Sequence, residues 1–324
     1  MNKYFFFFLF YIPTSYSQIS GCTDSFSKNY NPNATVNDGN CLYKTINIKP
    51  EYSKLLNDSI KETSGLIYFD HLLWTHNDDH DKTIYGLDSL GKIIKKIILK
   101  NIINHDWEEI SQDSSHIYIG DFGNNYAGNR TDLKIQKIQK ETFLKGDPII
   151  ETISFAYSDQ TDLSPKKANT TDFDCEAFIV AKDSIYLFTK KWKSSKTSIY
   201  SLPNIPGNHI AQLKGTLDTA GLITGATYIE SKKLIALCGY STKGRPFLYL
   251  LYDFKNHDFL SGNKRRINLK LSFHQIEGIA TNDGLHYYLT NEALIRKPFL
   301  NIRQQIHYLD LSIILNPYLH KQFP

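Results

Sequence analysis

Five short segments of this chain align without gaps: Glu62-Thr-Ser-Gly-Leu66, Asp106-Trp-Glu-Glu-Ile110, Asp174-Cys-Glu-Ala-Phe178, Leu222-Ile-Thr-Gly-Ala226 and Gln275-Ile-Glu-Gly-Ile279. A second apolar run follows each of them, as in Ile117-Tyr-Ile-Gly120 and Ile185-Tyr-Leu-Phe188, and then a third, as in Ile84-Tyr-Gly-Leu87 and Ile199-Tyr-Ser-Leu202. Some units add a fourth, such as Ile93 to Leu99 and Ile149 to Tyr157. A unit that returns every ~45–65 residues with about four strands cannot bury its own faces; it has to stack on copies of itself, which predicts an all-β β-propeller. Helical periodicity is nearly absent, and Asp-Ser-Leu-Gly, Asn-Asp-Gly and Lys-Gly-Asp-Pro punctuate the strands as turns.

Five repeats are visible. The stretch from Asp159 to Thr171 reads as a loop insertion or as a degenerate sixth blade, so the count is five or six. The last unit, ending near Leu315, lacks an outer strand. Thr45 to Lys49 is expected to supply it, closing the ring by pairing the two ends of the chain. The 21 Tyr and 19 Phe among 324 residues suit this reading, because aromatic side chains pack well on pleated sheets. The net charge of +4 is small and the basic clusters are scattered, which argues against a nucleic-acid surface.

Before the repeats, Lys3 and the apolar run Tyr4 to Ile12 lead to Pro13-Thr-Ser-Tyr-Ser17, the pattern of a signal peptide over residues 1–17. The chain is therefore expected to be exported, to the periplasm or beyond. Ile19-Ser-Gly-Cys22 offers a rival reading, a lipoprotein anchored at Cys22. The apolar run is too short to span a bilayer and no later segment looks transmembrane. In an oxidising compartment Cys22 and Cys41 are expected to form a disulfide that staples a small module over residues 18–43, leaving 44–324 to the propeller. Asp24, Asn31, Asn33, Asn37 and Asp38 could line a calcium loop there, but Asn-Pro and Asp-Gly are turn signals in their own right. Cys175 and Cys238 read either as a disulfide between neighbouring blades or as two buried thiols.

The first strand of every propeller blade lines the axis, so aligned positions meet there. The middle position holds Ser64, Glu108, Glu176, Thr224 and Glu277; two residues earlier stand Glu62, Asp106, Asp174, Leu222 and Gln275. A period of two puts both sets on one side of their strands. The end of each second strand returns to the same rim and brings Asn77, Asp121 and Asn291, with Asn124, Asn125, Lys190 and Lys191 just beyond. Converging carboxylates raise one another's pKa unless a cation sits among them. Hard oxygen ligands without Cys or His favour Ca²⁺, and after it Mg²⁺, over Zn²⁺. The expected metal set is thus Glu62, Asp106, Glu108, Asp121, Asp174, Glu176, Glu277, Asn77 and Asn291. The competing reading makes the same acids caps for strand starts. His76 and His80, in His-Asn-Asp-Asp-His, read as a solvated turn.

The segment from Gly21 to Cys41 (Gly-Cys-Thr-Asp, Asn-Tyr-Asn-Pro, Asp-Gly-Asn-Cys) resembles a small module that recurs in secreted proteins of Bacteroidota. Glu62-Thr-Ser-Gly-Leu, Trp74-Thr-His-Asn-Asp, Asp106-Trp-Glu-Glu-Ile, Ile119-Gly-Asp-Phe-Gly-Asn-Asn and Gln275-Ile-Glu-Gly-Ile together resemble a family of secreted bacterial propellers over about residues 60–310. More distantly the chain is similar to phytase-like esterase, NHL-repeat and gluconolactonase propellers. The gluconolactonase type holds one divalent metal at the axis with Glu, Asn and Asp oxygens, a pattern that does not map residue by residue here. One reading of the site is a calcium-dependent hydrolase of an ester, lactone or phosphoester, with Glu108, Glu176 or Glu277 as base and Lys190, Lys191, Asn124 or Asn125 meeting an anionic ligand. The alternative is a non-catalytic, monomeric propeller that binds a small molecule, a glycan or an envelope protein.

Overall fold

The computed structural model describes residues 18–322, and the expected leader, residues 1–17, falls outside them. Each aligned segment begins the innermost strand of a four-stranded antiparallel blade. Blade 1 holds strands Thr63–Phe69, Leu72–Asn77, Thr83–Leu87 and Ile93–Ile98. Blade 2 holds Trp107–Gln112, His116–Asp121, Lys134–Gln139 and Ile150–Tyr157. Blade 3 runs from Cys175–Ala181 through Ser184–Thr189 and Lys196–Pro203 to the long outer strand Gly207–Asp218. Blade 4 runs from Leu222–Ile229 through Leu234–Tyr240 and Pro246–Tyr252 to Asn263–Leu269. Blade 5 is Ile276–Thr281, His286–Asn291 and Gln305–Asp310, with Tyr52–Leu55 as its outermost strand.

Innermost strands of successive blades touch in chain order, and that of blade 5 touches that of blade 1. The propeller therefore has five blades, and Asp159 to Thr171 is a loop. Closure does join the two ends of the chain, but through a different segment from the expected one. Tyr52–Leu55 pairs antiparallel with Gln305–Asp310, whereas Ile46–Ile48 adds to blade 4, parallel to Asn263–Leu269. The physical reason lies in the two edges: Ile46-Asn-Ile48 has the stronger apolar alternation, while Tyr-Ser-Lys-Leu is mostly exposed and its pattern gives little sign of its partner. The outer strands of blades 2 and 3 also pair, in parallel, fusing those two blades into one eight-stranded sheet.

Apolar side chains fill the wedges between blades. Trp74, Ile84, Trp107, Ile117 and Phe143 pack between blades 1 and 2. Between blades 4 and 5, Leu248, Ile267, Ile279 and Leu289 meet Leu311 and, from a C-terminal helix Ser312–Gln322 that the sequence pattern did not suggest, Leu315. The Cys22–Cys41 disulfide is formed. It uses the sulfur that a lipid anchor at Cys22 would need. The oxygens of Asp24, Asn31, Asn37 and Asp38 accept backbone N–H groups two residues on, so they make turns and do not converge on an ion. The module docks on blade 4, where Tyr252 and Tyr43 donate to Asp24 and Asn37 donates to Asp253 and Asn263. Cys175 and Cys238 are buried free thiols.

Candidate functional site

The innermost strands share one irregularity. In blades 2 to 5 the ladder to the second strand slips by one residue, and the unpaired residues are Glu108, Glu176, Thr224 and Glu277. A bulge re-aims a side chain that regular pairing would hold in the sheet's alternation. The slip repeats around the axis, so these side chains form a ring. Ser64, from blade 1, donates to the carbonyl of Glu108 at 2.5 Å, and Thr224 donates to that of Ile276, so the two hydroxyls stitch neighbouring blades together. The three glutamates have no such tie and stay over nine-tenths buried, at 5, 3 and 6 % exposure for Glu108, Glu176 and Glu277.

A second ring comes from the residue just past each second strand. The amides of Asp78, Gly123, Lys190 and Glu292 donate to the carbonyls of Glu62, Asp106, Asp174 and Gln275 respectively, a hydrogen bond repeated in four blades. Tyr240 follows the same register in blade 4. With Glu62, Asp106 and Asp174 these rings gather eight carboxylates (Glu62, Asp78, Asp106, Glu108, Asp174, Glu176, Glu277 and Glu292), and the ammonium of Lys190 acts on all of them except Glu62 and Asp78. Lys190 Nζ lies 2.7 Å from Glu176 Oε2, with both side chains only 4 % exposed, and sits over the rings of Trp192 and Tyr240 at 4.6 and 5.4 Å. Burial works against its charge, yet Glu176, Tyr240, Glu277 and Asp174 hold its pKa well above the ordinary lysine value.

Gly123 is required where it stands. A Cβ there would collide with the carboxylates of both Asp106 and Glu108, so the one-residue longer Asp121-Phe122-Gly123 turn makes room for two acids. Asp174 is fully engaged, accepting from the Asn124 amide at 2.8 Å and from the Trp192 indole at 2.7 Å. Glu277 and Glu108 accept no hydrogen bond from the described residues, and one oxygen of Asp78 is buried without a partner. Burial, and after it neighbouring carboxylates, pushes Asp106 up to about 6 and Asp78 to about 8. Burial likewise raises Glu292 to about 7, with Lys190 opposing and Glu62 adding to the rise. Glu108 and Glu277 are driven well above the carboxylate range for the same reasons.

The acids split by blade. Asp106, Glu108, Asp174 and Glu176 lie on the side of Lys190, which also reaches Glu277 and Glu292. On the side of blades 5 and 1, oxygens of Glu62, Asp78 and Asp79 approach within 4.8 Å of one another, and Asp78 is close enough to Glu277 and Glu292 for their charges to repel.

Several residues expected at the mouth lie elsewhere. Asp121 is fully buried and paired with Arg130 at 2.9 Å and Lys134 at 3.5 Å. Asn77 binds Ser59, Asp81 and the Glu62 amide; Asn291 binds Glu292, Arg303 and His307. Asp121 and Asn291 pair with Trp107 and Ile276, the residues before the bulge, and Asn77 pairs with Thr63; the mouth is reached one residue later in blades 1 and 5, at Asp78 and Glu292, and two later in blade 2, at Gly123. Lys191 turns outward to Asp172 and Ser198. Asn124 ties its loop to Phe173 and Arg130, and the carbonyl of Asn125 accepts from Asn169. His76 is no solvated turn: it is fully buried, edge-on to Trp107 at 5.5 Å, and its pKa falls to about 4 through desolvation. His80 is exposed beside Asp79.

Below the mouth the axis is shut. The fourth aligned position is Gly65, Glu109, Ala177, Gly225 and Gly278, and the strands come so close that a Cβ at Gly225 would strike the Glu277 carbonyl. Glu109 alone is large there. Its fully buried carboxylate accepts the amide of Ile110 at 3.0 Å and, from across the axis, that of Ala226 at 2.7 Å. Sequence reasoning missed this plug, although a single acid in a column of Gly and Ala was its signal.

No protein-family model matches the chain, and no curated protein matches it. Among solved structures, the PQQ-bound aldose sugar dehydrogenase of Streptomyces coelicolor is 9 % identical over 80 % of this chain and 98 % of its own, with a TM-score of 0.42. An oxidoreductase of the glucose dehydrogenase type from Thermus thermophilus is 7 % identical over 80 % and 99 %, TM-score 0.44, and a streptogramin B lyase 12 % over 79 % and 97 %, TM-score 0.38. With TM-scores below 0.5 none of them bears on the chemistry of the mouth. The five-blade fold rests on the strand pairing itself.

Proposed function

We propose that the axial mouth binds a divalent cation, Ca²⁺ in preference to Mg²⁺, on the side of blades 5 and 1. Glu62, Asp78 and Asp79 would supply rim oxygens, with Glu277 and Glu292 close by. The observation that carries the reading is Glu277: its side chain is only 6 % exposed, accepts no hydrogen bond from the described residues, and faces a lysine already committed to Glu176. One oxygen of the neighbouring Asp78 is buried without a partner, and burial and mutual repulsion disfavour the charged forms of Asp78, Glu277 and Glu292, which a cation offsets for the whole group at once. About six to eight flexible oxygens suit Ca²⁺ better than the strict octahedron of Mg²⁺.

The chemistry that follows is hydrolysis of an ester, lactone or phosphoester by water. Ser64 and Thr224 donate to neighbouring carbonyls, which leaves no free hydroxyl nucleophile at the middle position of the first strands. The cation would polarise the substrate oxygen and, by its charge, bring a neighbouring glutamate's pKa back down, so that Glu277 or Glu108 would be free to take the proton from water. The disulfide fits an exported chain, since such bonds persist in oxidising compartments. The resemblance to secreted bacterial propellers points the same way.

The test is thermal melting of the full chain with Ca²⁺ or Mg²⁺. At about a hundred times Kd a site present only in the folded state adds ~2.7 kcal/mol, and Glu277→Gln should remove most of that gain. No shift with millimolar Ca²⁺, or an equal shift in the variant, would sink the cation site. A panel of ester, lactone and phosphoester substrates assayed with Ca²⁺ then separates a hydrolase from a binding propeller.

A further inference from the structure

A cavity of about 410 Å³ on blade 4 is lined by Lys243, Arg245 and Arg266, with Ser241, Asn268 and Asn47 among its neutral donors, and by no carboxylate. Its loop, 241–245, leaves the second strand directly after Tyr240, one of the residues of the axial mouth, so the cavity opens on the face that carries the acids. Its floor is preorganised. Arg266 stacks on Phe247 at 3.7 Å, and its Nε donates to Asn268 at 3.3 Å. Its Nη1 donates to the carbonyls of Thr219 and Ala220. None of these partners bears a charge. The loop above is braced by hydrogen bonds between Ser241 and Arg245 and from Gly244 to Ser241.

Among the described residues Lys243, Arg245 and Arg266 form no ion pair, whereas Arg130, Lys134, Lys190 and Arg303 each do. Burial lowers the pKa of Arg266, opposed by the Tyr249 hydroxyl and by no carboxylate. A half-buried guanidinium held in place by neutral acceptors, with two further cations facing the same space, is electrostatically incomplete. Its missing component is negative. A carboxylate is satisfied by one guanidinium, in a planar fork; three cations from a loop and a strand suit a tetrahedral anion with oxygens pointing several ways.

We infer that the Lys243–Arg245–Arg266 cavity is a binding site for a tetrahedral oxyanion, a phosphate or sulfate group, with space left for part of the molecule that bears it. This site stands independently of the axial cation. It also takes over the anion-binding role that the sequence suggested for Lys190 and Lys191, both of which are paired.

Calorimetric titration of the full chain with inorganic phosphate, sulfate and acetate, in the presence of EDTA, tests it. Saturable binding of phosphate or sulfate, with acetate weaker, is expected, and the affinity should fall with added NaCl. Lys243→Gln and Arg245→Gln should each weaken it about tenfold, the size of one charge-assisted hydrogen bond. Lys54→Gln, an exposed charge on the closing strand, should leave it unchanged. Both cavity variants lie in a surface loop, and an unaltered melting temperature would show that they fold. Absence of saturable binding at millimolar anion, or equal weakening by Lys54→Gln, overturns the site. Because EDTA removes divalent cations, failure here leaves the axial reading untouched, and the converse holds as well.

Discussion

Lys190 and Glu176 form an ion pair at 2.7 Å inside the axial mouth, with only 4 % of either side chain exposed. The pair is local, since the lysine follows the second strand of blade 3 and the glutamate is the bulged residue of the first strand. Yet Lys190 reaches beyond its own blade, opposing the rise of Glu108, Glu277 and Glu292 from blades 2 and 5.

Replacing Lys190 by Met should therefore cost more than a surface ion pair. Loss of one member of a buried pair typically destabilises by ~3–5 kcal/mol, because the other charge is left behind. Glu176→Gln together with Lys190→Met should recover part of this, while Lys190→Met alone should make stability more dependent on a divalent cation. Denaturant titrations of the two variants, with and without Ca²⁺, measure both effects. Equal stability of Lys190→Met and the parent chain would show that the lysine does not balance the acids.

The mouth should also make stability depend on pH in an unusual direction. Asp106, Glu292 and Asp78 have folded-state pKa values of about 6, 7 and 8, all above those of the unfolded chain. The folded state then binds more protons than the unfolded state between roughly pH 4 and 8, and stability falls as pH rises through that window. The contribution is fully present below the unfolded carboxylate range and lost above about pH 8. A bound cation competes with those protons, so Ca²⁺ affinity should rise over the same interval and binding should release protons. Melting temperature against pH, with EDTA and with Ca²⁺, gives the two curves. The EDTA slope should flatten in Asp78→Asn and Glu292→Gln, and an unchanged slope in both would refute the assignment.

How much of this was legible follows from how the blades are built. The acids at Asp106, Glu108, Asp174, Glu176 and Glu277 were readable because an ungapped repeat fixes their equivalence and a two-residue period fixes their side. Asp78 and Glu292 were not, since Asn77 and Asn291 occupy the strand ends that the same counting selects. The bulge at the third position shifts the ladder by one residue, and a sequence shows an alternation without showing where it slips. The closing strand was missed for a related reason: Tyr52–Leu55 is an exposed edge, and its partner lies about 250 residues away, with no local signal joining them.

Glu109 provides the sharpest test of how the ring is held shut. In the other blades the equivalent position is Gly or Ala, and the space this leaves on the axis is filled by the Glu109 carboxylate. It caps the amides of Ile110 and Ala226, which otherwise face an axis closed to solvent. Each buried donor stripped of its acceptor costs ~1–3 kcal/mol, so Glu109→Ala should destabilise by about 2–6 kcal/mol. Glu109→Gln keeps one acceptor oxygen and nearly the same volume and should fall between the two. Because burial already holds Glu109 well above the carboxylate range, the neutral amide forfeits little charge. Unfolding midpoints in urea should rank parent, Gln, Ala in that order. Since Ala226 belongs to blade 4 and Glu109 to blade 2, the Ala variant should also lose hydrogen-exchange protection at Ala226, and full protection there would mean that something other than Glu109 closes the axis.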